Sequence, residues 1–505
     1  MRKFLLKTHK WVSIILLFFI LMFAVSGIIL NHRGAVSGID LSRTLLPKGY
    51  EYKNWNNGSV SGSLTLRDSS VWIYGGSGVR QTDRDGSRFV DRNTGLPPGA
   101  DHRSMRSLVE TASGELLALS AFSLYKYDVE GEKWAPVEGL PHSEKSYTDL
   151  IALGDSVLLL SRSHLYLRDA RNTDFVEIQL QAPDGYSPKV SLFRTLWLLH
   201  SGELFGLAGQ IVVDIVGLIL IILCVTGLII TIKIMITKQR KKKGLKTDNK
   251  LTRFSLKWHN KLGSLFLVLL LLVTFTGMFL RPPLLIAIIR SKVSPIPGTE
   301  LHSDNPWHDK LRRIRHDKSA NDWLLSTSEG FFTLSDLTSR PAPLKKTPPV
   351  SVMGITAWQQ QADGKWVVGS FSGLFEWDRE TGDTFDLIKG EPYAGRKGGM
   401  PTFDNAISGY SDDFRHGALL FDYSKGARFV QDRADFVEMP DEMCPGRISL
   451  WHTALELHVG RLYDGFMDPV APMFVFLAGF FLLSVIITGY IIYHKWHKRH
   501  KKKKA

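Results

Sequence analysis

The chain has 505 residues, of which 44% are hydrophobic and 22% are charged, and its formal net charge is +14. This length allows roughly three domains and excludes a single small core. The two cysteines exclude a disulfide scaffold, and neither lies in a CxxC or CxxCH motif, which also excludes a zinc ribbon and a c-type haem attachment. A chain this basic would ordinarily suggest a nucleic-acid partner.

Four apolar runs are long enough to cross a lipid bilayer, which requires about 20 residues. The first run follows basic residues, as a signal peptide would. However, it is long for the apolar region of a signal peptide and no A-x-A cleavage site follows it, so we predict a retained helix. The predicted spans are Trp11–Leu30, Ile211–Ile236, Leu262–Leu280 and Pro469–Tyr493.

Three short segments hold the chain's net excess of positive charge. Residues 1–10, 238–257 and 494–505 together contain 20 Lys and Arg but one acidic residue, so the remainder of the chain is net acidic. Under the positive-inside rule, both termini and the middle loop are cytoplasmic and the two long segments between spans are outside. The charge is therefore a topology signal, and we expect no nucleic-acid partner.

The two halves of the chain repeat each other. Residues 5–33 align without gaps with residues 255–283, and residues 191–206 align with 449–465. Each half therefore consists of a helix, an outside domain and a second helix. The alignment places His9 on His259, His200 on His458 and Ser26-Gly27 on Thr276-Gly277, while Thr226-Gly227 is echoed by Thr488-Gly489.

The outside segments are rich in short alternating runs broken by Gly, Asp, Asn and Ser, a pattern typical of β-hairpins. A unit of strand, Asp, polar turn and return strand recurs at intervals of 41 to 45 residues within each half. This is the period of a four-stranded propeller blade. The marker aspartates accept backbone N–H bonds in turns, so we predict a structural role for them. They are Asp83, Asp128, Asp169, Asp336, Asp378 and Asp422.

Each half holds about three such units, too few to close a ring, since propellers typically have four to eight blades. We therefore expect the halves to join into one propeller-like domain of about six blades. Two separate open β domains are the alternative, and strand pairing between residues 34–195 and 283–448 distinguishes the two.

The predicted fold class is thus an integral membrane α-helical protein, with four transmembrane helices in two repeats and an all-β, propeller-like extracytoplasmic domain. Its segments are a first helix with a cytoplasmic N-terminus (1–33), a first β half (34–190), a second helix with a preceding interfacial turn (191–237), a basic cytoplasmic loop (238–257), a third helix (258–283), a second β half (284–447), a fourth helix (448–494) and a basic cytoplasmic tail (495–505).

Several histidines lie at the predicted membrane boundaries, where a histidine is costly and often functional. Imidazole is a common axial ligand of haem iron, and a b-type haem needs two histidines at similar depth and no covalent cysteine. His9 and His259 form a repeat-related cytoplasmic pair, whereas His32, His200 and His458 compete for two axial positions outside. The alternative is that these histidines are interfacial anchors. Small residues that could leave room for a macrocycle are Gly27, Gly202, Gly206, Gly277 and Gly460.

At these residues the chain resembles the PepSY-associated transmembrane family. The resemblance covers the membrane part, about a third of the chain. No clear PepSY-type soluble domain is present, and Arg281-Pro282 replaces Asn-His in the second half. The motifs that carry the resemblance are His9-Lys10-Trp11-Val12, Ser26-Gly27, Leu30-Asn31-His32, Leu199-His200-Ser201-Gly202 and Leu457-His458-Val459-Gly460.

The resemblance implies a membrane redox role, because duplicated members include inner-membrane siderophore-iron reductases that carry b-type haem. We therefore expect one or two b haems in a bacterial inner-membrane protein with a periplasmic β domain. Electrons would pass from a quinone or cytoplasmic donor to an extracytoplasmic acceptor such as a ferric siderophore, which would make the chain a haem-dependent reductase. The main alternative is a non-enzymatic sensor, scaffold or assembly factor, and a transporter is disfavoured because the spans lack internal charges other than Asp214.

Overall fold

The computed structural model describes residues 1–141, 146–172, 174–351, 354–395, 405–463 and 471–498. The start of the predicted fourth span and most of the basic tail lie outside these residues. The described chain divides into two compact units, a helical one (1–36, 188–303 and 451–505) and a β-rich one (37–187 and 304–450). The α-helices are α1 (Arg2–Asn31), α2 (Arg33–Val36), α3 (Ala100–Arg103), α4 (Leu192–Ser201), α5 (Gly206–Lys242), α6 (Lys250–Leu265), α7 (Leu267–Met278), α8 (Leu284–Ile288), α9 (Leu450–His458) and α10 (Phe474–Ile492).

Three continuous helices of the helical unit are long and apolar enough to cross a membrane. They lie at Arg2–Asn31, Glu203–Lys242 and Ala471–Lys495, with mean hydropathies of 2.9, 3.1 and 2.5. α5 alone has 37 residues, about 55 Å at 1.5 Å per residue, so it extends well beyond a hydrocarbon core of about 30 Å. Its last turn is basic, which complements the negative end of the helix dipole.

The prediction of four transmembrane helices is wrong for continuous helices, because the predicted third span, Leu262–Leu280, is broken. The run that begins at Leu262 is divided between α6 and α7, which meet at Phe266 with a bend of 67°. A Gly263-Ser264 pair directly precedes the bend, and Gly/Ser pairs are a common cause of sharp helix kinks. Among the described residues the count is therefore three continuous spans, or four if the bent pair counts as one.

The helices of this unit pack side by side. α1 contacts α5 and α10, while α5 also contacts α6 and α10 also contacts α7. Each half of the duplicated chain thus supplies helices that pack against helices of the other half.

The β-rich unit confirms the all-β prediction for the outside segments. The strands of the first half of the chain are β1 (Asp40–Ser42), β2 (Gly62–Thr65), β3 (Val71–Gly75), β4 (Gly78–Thr82), β5 (Val90–Asp91), β6 (Met105–Glu110), β7 (Leu116–Ser120), β8 (Leu124–Asp128), β9 (Lys133–Pro136), β10 (Tyr147–Leu153), β11 (Ser156–Ser161), β12 (Leu165–Arg168), β13 (Val176–Ile178) and β14 (Val190–Ser191). Those of the second half are β15 (Lys292–Val293), β16 (Leu311–Asp317), β17 (Asp322–Thr327), β18 (Gly330–Leu334), β19 (Ala342–Pro343), β20 (Ile355–Gln360), β21 (Trp366–Ser370), β22 (Gly373–Trp377), β23 (Thr384–Asp386), β24 (Glu391–Pro392), β25 (Ile407–Ser411), β26 (Leu419–Asp422), β27 (Gly426–Phe429) and β28 (Arg447–Ser449).

Most of these strands form six antiparallel sheets in chain order. The sheets are β2–β5, β6–β9, β10–β13, β16–β19, β20–β24 and β25–β27, and two further strand pairs are β1 with β28 and β14 with β15. The marker aspartates lie at the turns as predicted. For example, Asp378 accepts from the amide of Glu380 at 2.8 Å, and Asp422 accepts from the amide of Ser424 at 2.9 Å.

The core of the β-rich unit lies between successive sheets. Central strands bury both faces, so that Leu117 and Leu119 point toward one neighbouring sheet while Leu116 and Ala118 point toward the other. Six hydrophobic clusters arise in this way, and one of them joins the last sheet to the first. The first strands of successive sheets also contact one another, and β25 contacts β2.

Hydrogen bonds join the two halves of the chain within this unit. β1 pairs with β28 in antiparallel register, which is the strand pairing that two separate β domains would lack. Asp149 accepts from the amide of Ile314 at 3.0 Å and from Arg315 at 2.5 Å. At the other junction, Thr65 donates to Asp413 at 2.6 Å.

Candidate cofactor site

Four of the five candidate histidines are each packed against a Ser-Gly or Thr-Gly dipeptide of another helix, and we call these dipeptides the hydroxyl–glycine pairs. Three of the pairs lie within the long helices α1, α5 and α10, and the fourth lies at the end of the shorter helix α7. The contacts join His9 to Thr488-Gly489, His259 to Thr226-Gly227, His200 to Thr276-Gly277 and His458 to Ser26-Gly27.

Two of the rings are held mainly by a backbone carbonyl. Nδ1 of His9 lies 3.0 Å from the carbonyl oxygen of Val485, and Nδ1 of His200 lies 2.9 Å from that of Val273. A carbonyl oxygen can only accept a hydrogen bond, so the proton of each neutral ring is on Nδ1. Nε2 therefore carries the lone pair that can bind a metal.

The other two rings lie close to a hydroxyl group. Nδ1 of His259 lies 3.0 Å from Oγ1 of Thr226, and Nδ1 of His458 lies 3.0 Å from Oγ of Ser26. The hydroxyl of Thr226 donates its own hydrogen to the carbonyl of Ile222 at 2.6 Å, which leaves its oxygen to accept from the ring. Nε2 is again the nitrogen left to bind a metal.

The glycines allow the rings to approach the helix backbone. A β-carbon at Gly277 would lie 2.8 Å from Cε1 of His200, and one at Gly489 would lie 2.8 Å from Cε1 of His9. These distances are shorter than any relaxed contact between carbon atoms. The corresponding distances are 3.3 Å from Gly27 to His458 and 3.4 Å from Gly227 to His259.

Sharp turns place His200 and His458 at the ends of the short helices α4 and α9. Gly202, which follows α4, adopts the left-handed conformation with φ of +81°, and Gly460 has φ of +83°. A β-carbon on Gly202 would also collide with the backbone of Gly209, at 2.2 Å from its carbonyl oxygen. The Leu-His-x-Gly motif therefore reverses the chain immediately after the histidine.

The rings then meet in two pairs. The centroids of His9 and His259 are 6.3 Å apart, and their planes are inclined by 87°. Those of His200 and His458 are 6.0 Å apart, with an inclination of 55°. In the part of the chain that the structure describes, Nε2 of these four rings makes no hydrogen bond.

His32 is not part of either pair. Its Nε2 lies 2.7 Å from Oδ2 of Asp214, and its side chain is 43% exposed. The neighbouring Asn31 donates to the other oxygen of the same carboxylate at 2.9 Å and to the carbonyl of Ser201 at 3.1 Å. The structure thus brings together the repeat-related histidines and leaves His32 to a separate polar contact.

The geometry is that of paired ligands rather than a cluster. Among the described residues, no group of three or more His, Cys, Asp or Glu side chains is placed to hold a metal ion. A cofactor that takes two axial imidazoles is therefore the kind that these pairs suit.

A comparison with protein families matches the PepSY-associated TM region over residues 1–233 and again over residues 212–495. The chain belongs to this family. Its two matches correspond to the two halves of the duplication, so the PepSY-associated TM region is present twice.

Solved structures similar to this PepSY-associated TM protein include extracellular domains from B. thetaiotaomicron. Two are of BT4673, assigned as a one component or hybrid two component system, with TM-scores of 0.36 and 0.35, identities of 10% and 9%, and coverage of 73% of this chain and 32% of those chains. A third, from the hybrid two component system BT3049, has a TM-score of 0.32 and 11% identity over 74% of this chain and 39% of that chain. The chain thus spans about a third of the length of these proteins. A comparison with curated proteins finds no match.

Sequence reasoning did not assign a role to the hydroxyl–glycine pairs, although it noted their recurrence in this PepSY-associated TM chain. Gly27 and Gly277 do lie against histidines, but so do Gly227 and Gly489, which were not candidates. The signal that could have found them is the repetition itself, since four Ser/Thr-Gly dipeptides accompany four repeat-related histidines.

Proposed function

We propose that this PepSY-associated TM protein holds two b-type haems, one between His9 and His259 and one between His200 and His458, and transfers electrons across the membrane. The single observation that carries the proposal is the spacing of the rings in both pairs. Two metal–imidazole bonds of about 2 Å and two ring radii of about 1.2 Å place the centroids of a bis-histidine site about 6.4 Å apart. The observed separations are 6.3 and 6.0 Å.

The hydrogen bonds of the rings support the same assignment. Metal-bound histidines almost always donate their second N–H to a carbonyl, carboxylate or water, which fixes the tautomer and the ring orientation. All four rings place Nδ1 against a helix carbonyl or hydroxyl. The two cysteines are free thiols outside any CxxCH motif, so attachment of the haem would be through histidine alone.

The separation of the two pairs supports transfer between the membrane faces. His9 is 18 residues from Gly27, which contacts His458, and both lie on α1. At 1.5 Å per residue this is about 27 Å along the helix axis. Haem supplies one-electron chemistry when bound, and the chain orients the axial imidazoles and keeps the two sites at opposite ends of the bundle.

We further propose a four-span topology in which the bent α6–α7 pair is the third span. Both termini and the basic 238–257 loop are then cytoplasmic, as the positive-inside rule requires. The His200–His458 pair and the β-rich unit lie on the periplasmic side of the bacterial inner membrane. The donor is a quinone or a cytoplasmic reductant, and the acceptor is a ferric siderophore or another ferric chelate. The family resemblance is what supports this acceptor.

We infer that the six sheets are the blades of one propeller, three from each half of the chain. The clusters between successive sheets support this inference, as does the contact between the last sheet and the first. Gly409 contributes to that contact, because a β-carbon there would lie 2.7 Å from the backbone of Ser61.

The test is an absorption spectrum of the purified protein from haem-replete cells. We expect a Soret band and a reduced α-band of b-type haem in the wild type. H9A, H259A, H200A and H458A should each lose about half of this absorbance, because each removes one axial ligand from one of two haems. H32A is the matched control, since His32 lies at the end of the same helix as His9 but in neither pair.

A colourless wild-type protein would contradict the proposal and favour a sensor, scaffold or assembly factor. Loss of haem in H32A, with retention in H458A, would reject the assignment of the second pair.

A further inference from the structure

The two histidines of each pair have different hydrogen-bond acceptors. His9 and His200 lie closest to backbone carbonyls, and the Thr488 and Thr276 hydroxyls are farther away, at 3.4 Å. For His259 and His458 the corresponding hydroxyls, those of Thr226 and Ser26, are nearer, at 3.0 Å. Each pair therefore contains one ring whose nearby hydroxyl is 3.4 Å away and one whose nearby hydroxyl is 3.0 Å away and belongs to a replaceable side chain.

Both hydroxyls are oriented as acceptors toward the ring. The Thr226 hydroxyl donates to Ile222, and the Ser26 hydroxyl donates to the carbonyl of Met22 at 2.6 Å. Because each hydroxyl has a single hydrogen, its hydrogen bond with Nδ1 must be donated by the imidazole. The carbonyls of Leu223 and Phe23 are second partners of the same two rings.

We propose that Thr226 and Ser26 are positioning residues that set the reduction potentials of the two haems, Thr226 through His259 and Ser26 through His458. This inference rests on the proposed function. An acceptor for the Nδ1 hydrogen increases the basicity of the ligand and stabilises ferric iron relative to ferrous iron. Removal of the hydroxyl therefore raises the midpoint potential of the haem that it serves.

The experiment is a redox titration of the purified full-length protein, followed at the α-band. T226V replaces the hydroxyl by a methyl group of similar size, and S26A removes the hydroxyl of the other pair. T226S and S26T restore a hydroxyl at each position. T274V is the matched control, because Thr274 donates to the carbonyl of Leu270 in the same way but has no histidine partner among the described residues.

We expect T226V to shift one of the two midpoint potentials upward and S26A to shift the other. T226S, S26T and T274V should titrate as the wild type does. T488V and T276V should give smaller shifts than T226V and S26A, because the carbonyls of Val485 and Val273 remain the principal acceptors.

Unchanged potentials in T226V and S26A with haem retained would overturn the inference, as would equal shifts in T488V and T226V. T226A is a second hydroxyl-free variant in case T226V does not fold. If both lose haem, S26A decides the inference: an upward shift of one midpoint potential would support it, and an unchanged potential with haem retained would overturn it. A wild-type protein without haem would instead reject the proposed function.

Discussion

The imidazole ring of His200 lies directly against the backbone of Gly277, where a β-carbon would come within 2.8 Å of Cε1. The two residues come from different halves of the chain. The same relationship holds between His9 and Gly489, also at 2.8 Å. Each half thus supplies glycines against which histidines of the other half pack, and the absence of a β-carbon permits the approach.

Replacing Gly277 by alanine should expel or rotate His200. We expect G277A to lose about half of the haem absorbance, because overpacking at this contact disturbs one of two sites. G34A is the control, since a β-carbon at Gly34 would meet no atom within 4 Å. G27A should have a smaller effect than G277A, given its distance of 3.3 Å to His458. Full haem occupancy in G277A would contradict this assignment.

The inclination of the imidazole planes in each pair predicts different electron paramagnetic resonance signals for the two proposed haems. If each pair held a haem, nearly perpendicular imidazoles would make the iron orbitals that interact with them almost equal in energy, and the g values of ferric iron would spread widely. The inclination is 87° for His9–His259 and 55° for His200–His458. We expect two low-spin signals, of which H259A removes the more anisotropic and H458A the less anisotropic. If H259A instead removed the less anisotropic signal, the result would contradict the ring inclinations of the two pairs.

The carboxyl group of Asp317 predicts an acid-sensitive contribution to the stability of the β-rich unit. Burial alone would raise its pKa, but hydrogen bonds from Arg379, the Ala320 amide and Gln360 lower it to about 2. Arg379 lies 2.6 Å from this carboxylate and 2.5 Å from that of Asp322. Because the folded pKa is below the unfolded value, the stabilisation is present above about pH 4 and is lost as the pH falls toward 2.

At pH 7 we expect D317N to lower the free energy of unfolding by about 1–2 kcal/mol, since one pKa unit corresponds to about 1.4 kcal/mol and solvent screening reduces the full value. Thermal unfolding of the detergent-solubilised protein, followed by circular dichroism, measures the difference. The gap between D317N and the wild type should narrow between pH 4 and pH 2. A gap that is independent of pH would show that the charge of Asp317 does not contribute.

The close packing at Gly409 predicts that a larger side chain there would destabilise the contact between the last and first sheets. A β-carbon at this position would lie 2.7 to 2.9 Å from backbone atoms of Ser61. G409A should lower the stability of the β-rich unit by about 1–3 kcal/mol, the usual cost of overpacking. G49A is the control, because a β-carbon there meets no atom within 4 Å. Equal melting temperatures for the two variants would mean that the close approach does not restrict the sheets.

Much of the architecture follows from local sequence patterns. Long apolar runs predict helices such as α1, α5 and α10, because a buried backbone in lipid must satisfy its own hydrogen bonds. Short strand-forming runs with Asp at the turns predict the six sheets, because β-favouring segments pair when polar turns reverse the chain between them. The prediction of a continuous third span fails at Phe266 for a local reason as well, because hydropathy alone does not reveal the bend that follows Gly263-Ser264.

The sequence by itself determined the duplication, the all-β character of the outside segments and the pairing of His9 with His259, since these depend on repeats and periodicities readable along the chain. Only the tertiary structure decided that His200 meets His458 while His32 turns to Asp214. It also decided against which hydroxyl–glycine pair each imidazole ring packs. These choices depend on contacts between residues as distant as His9 and Val485, which are 476 positions apart. Such contacts are selected by the packing of whole helices, and no local pattern specifies them.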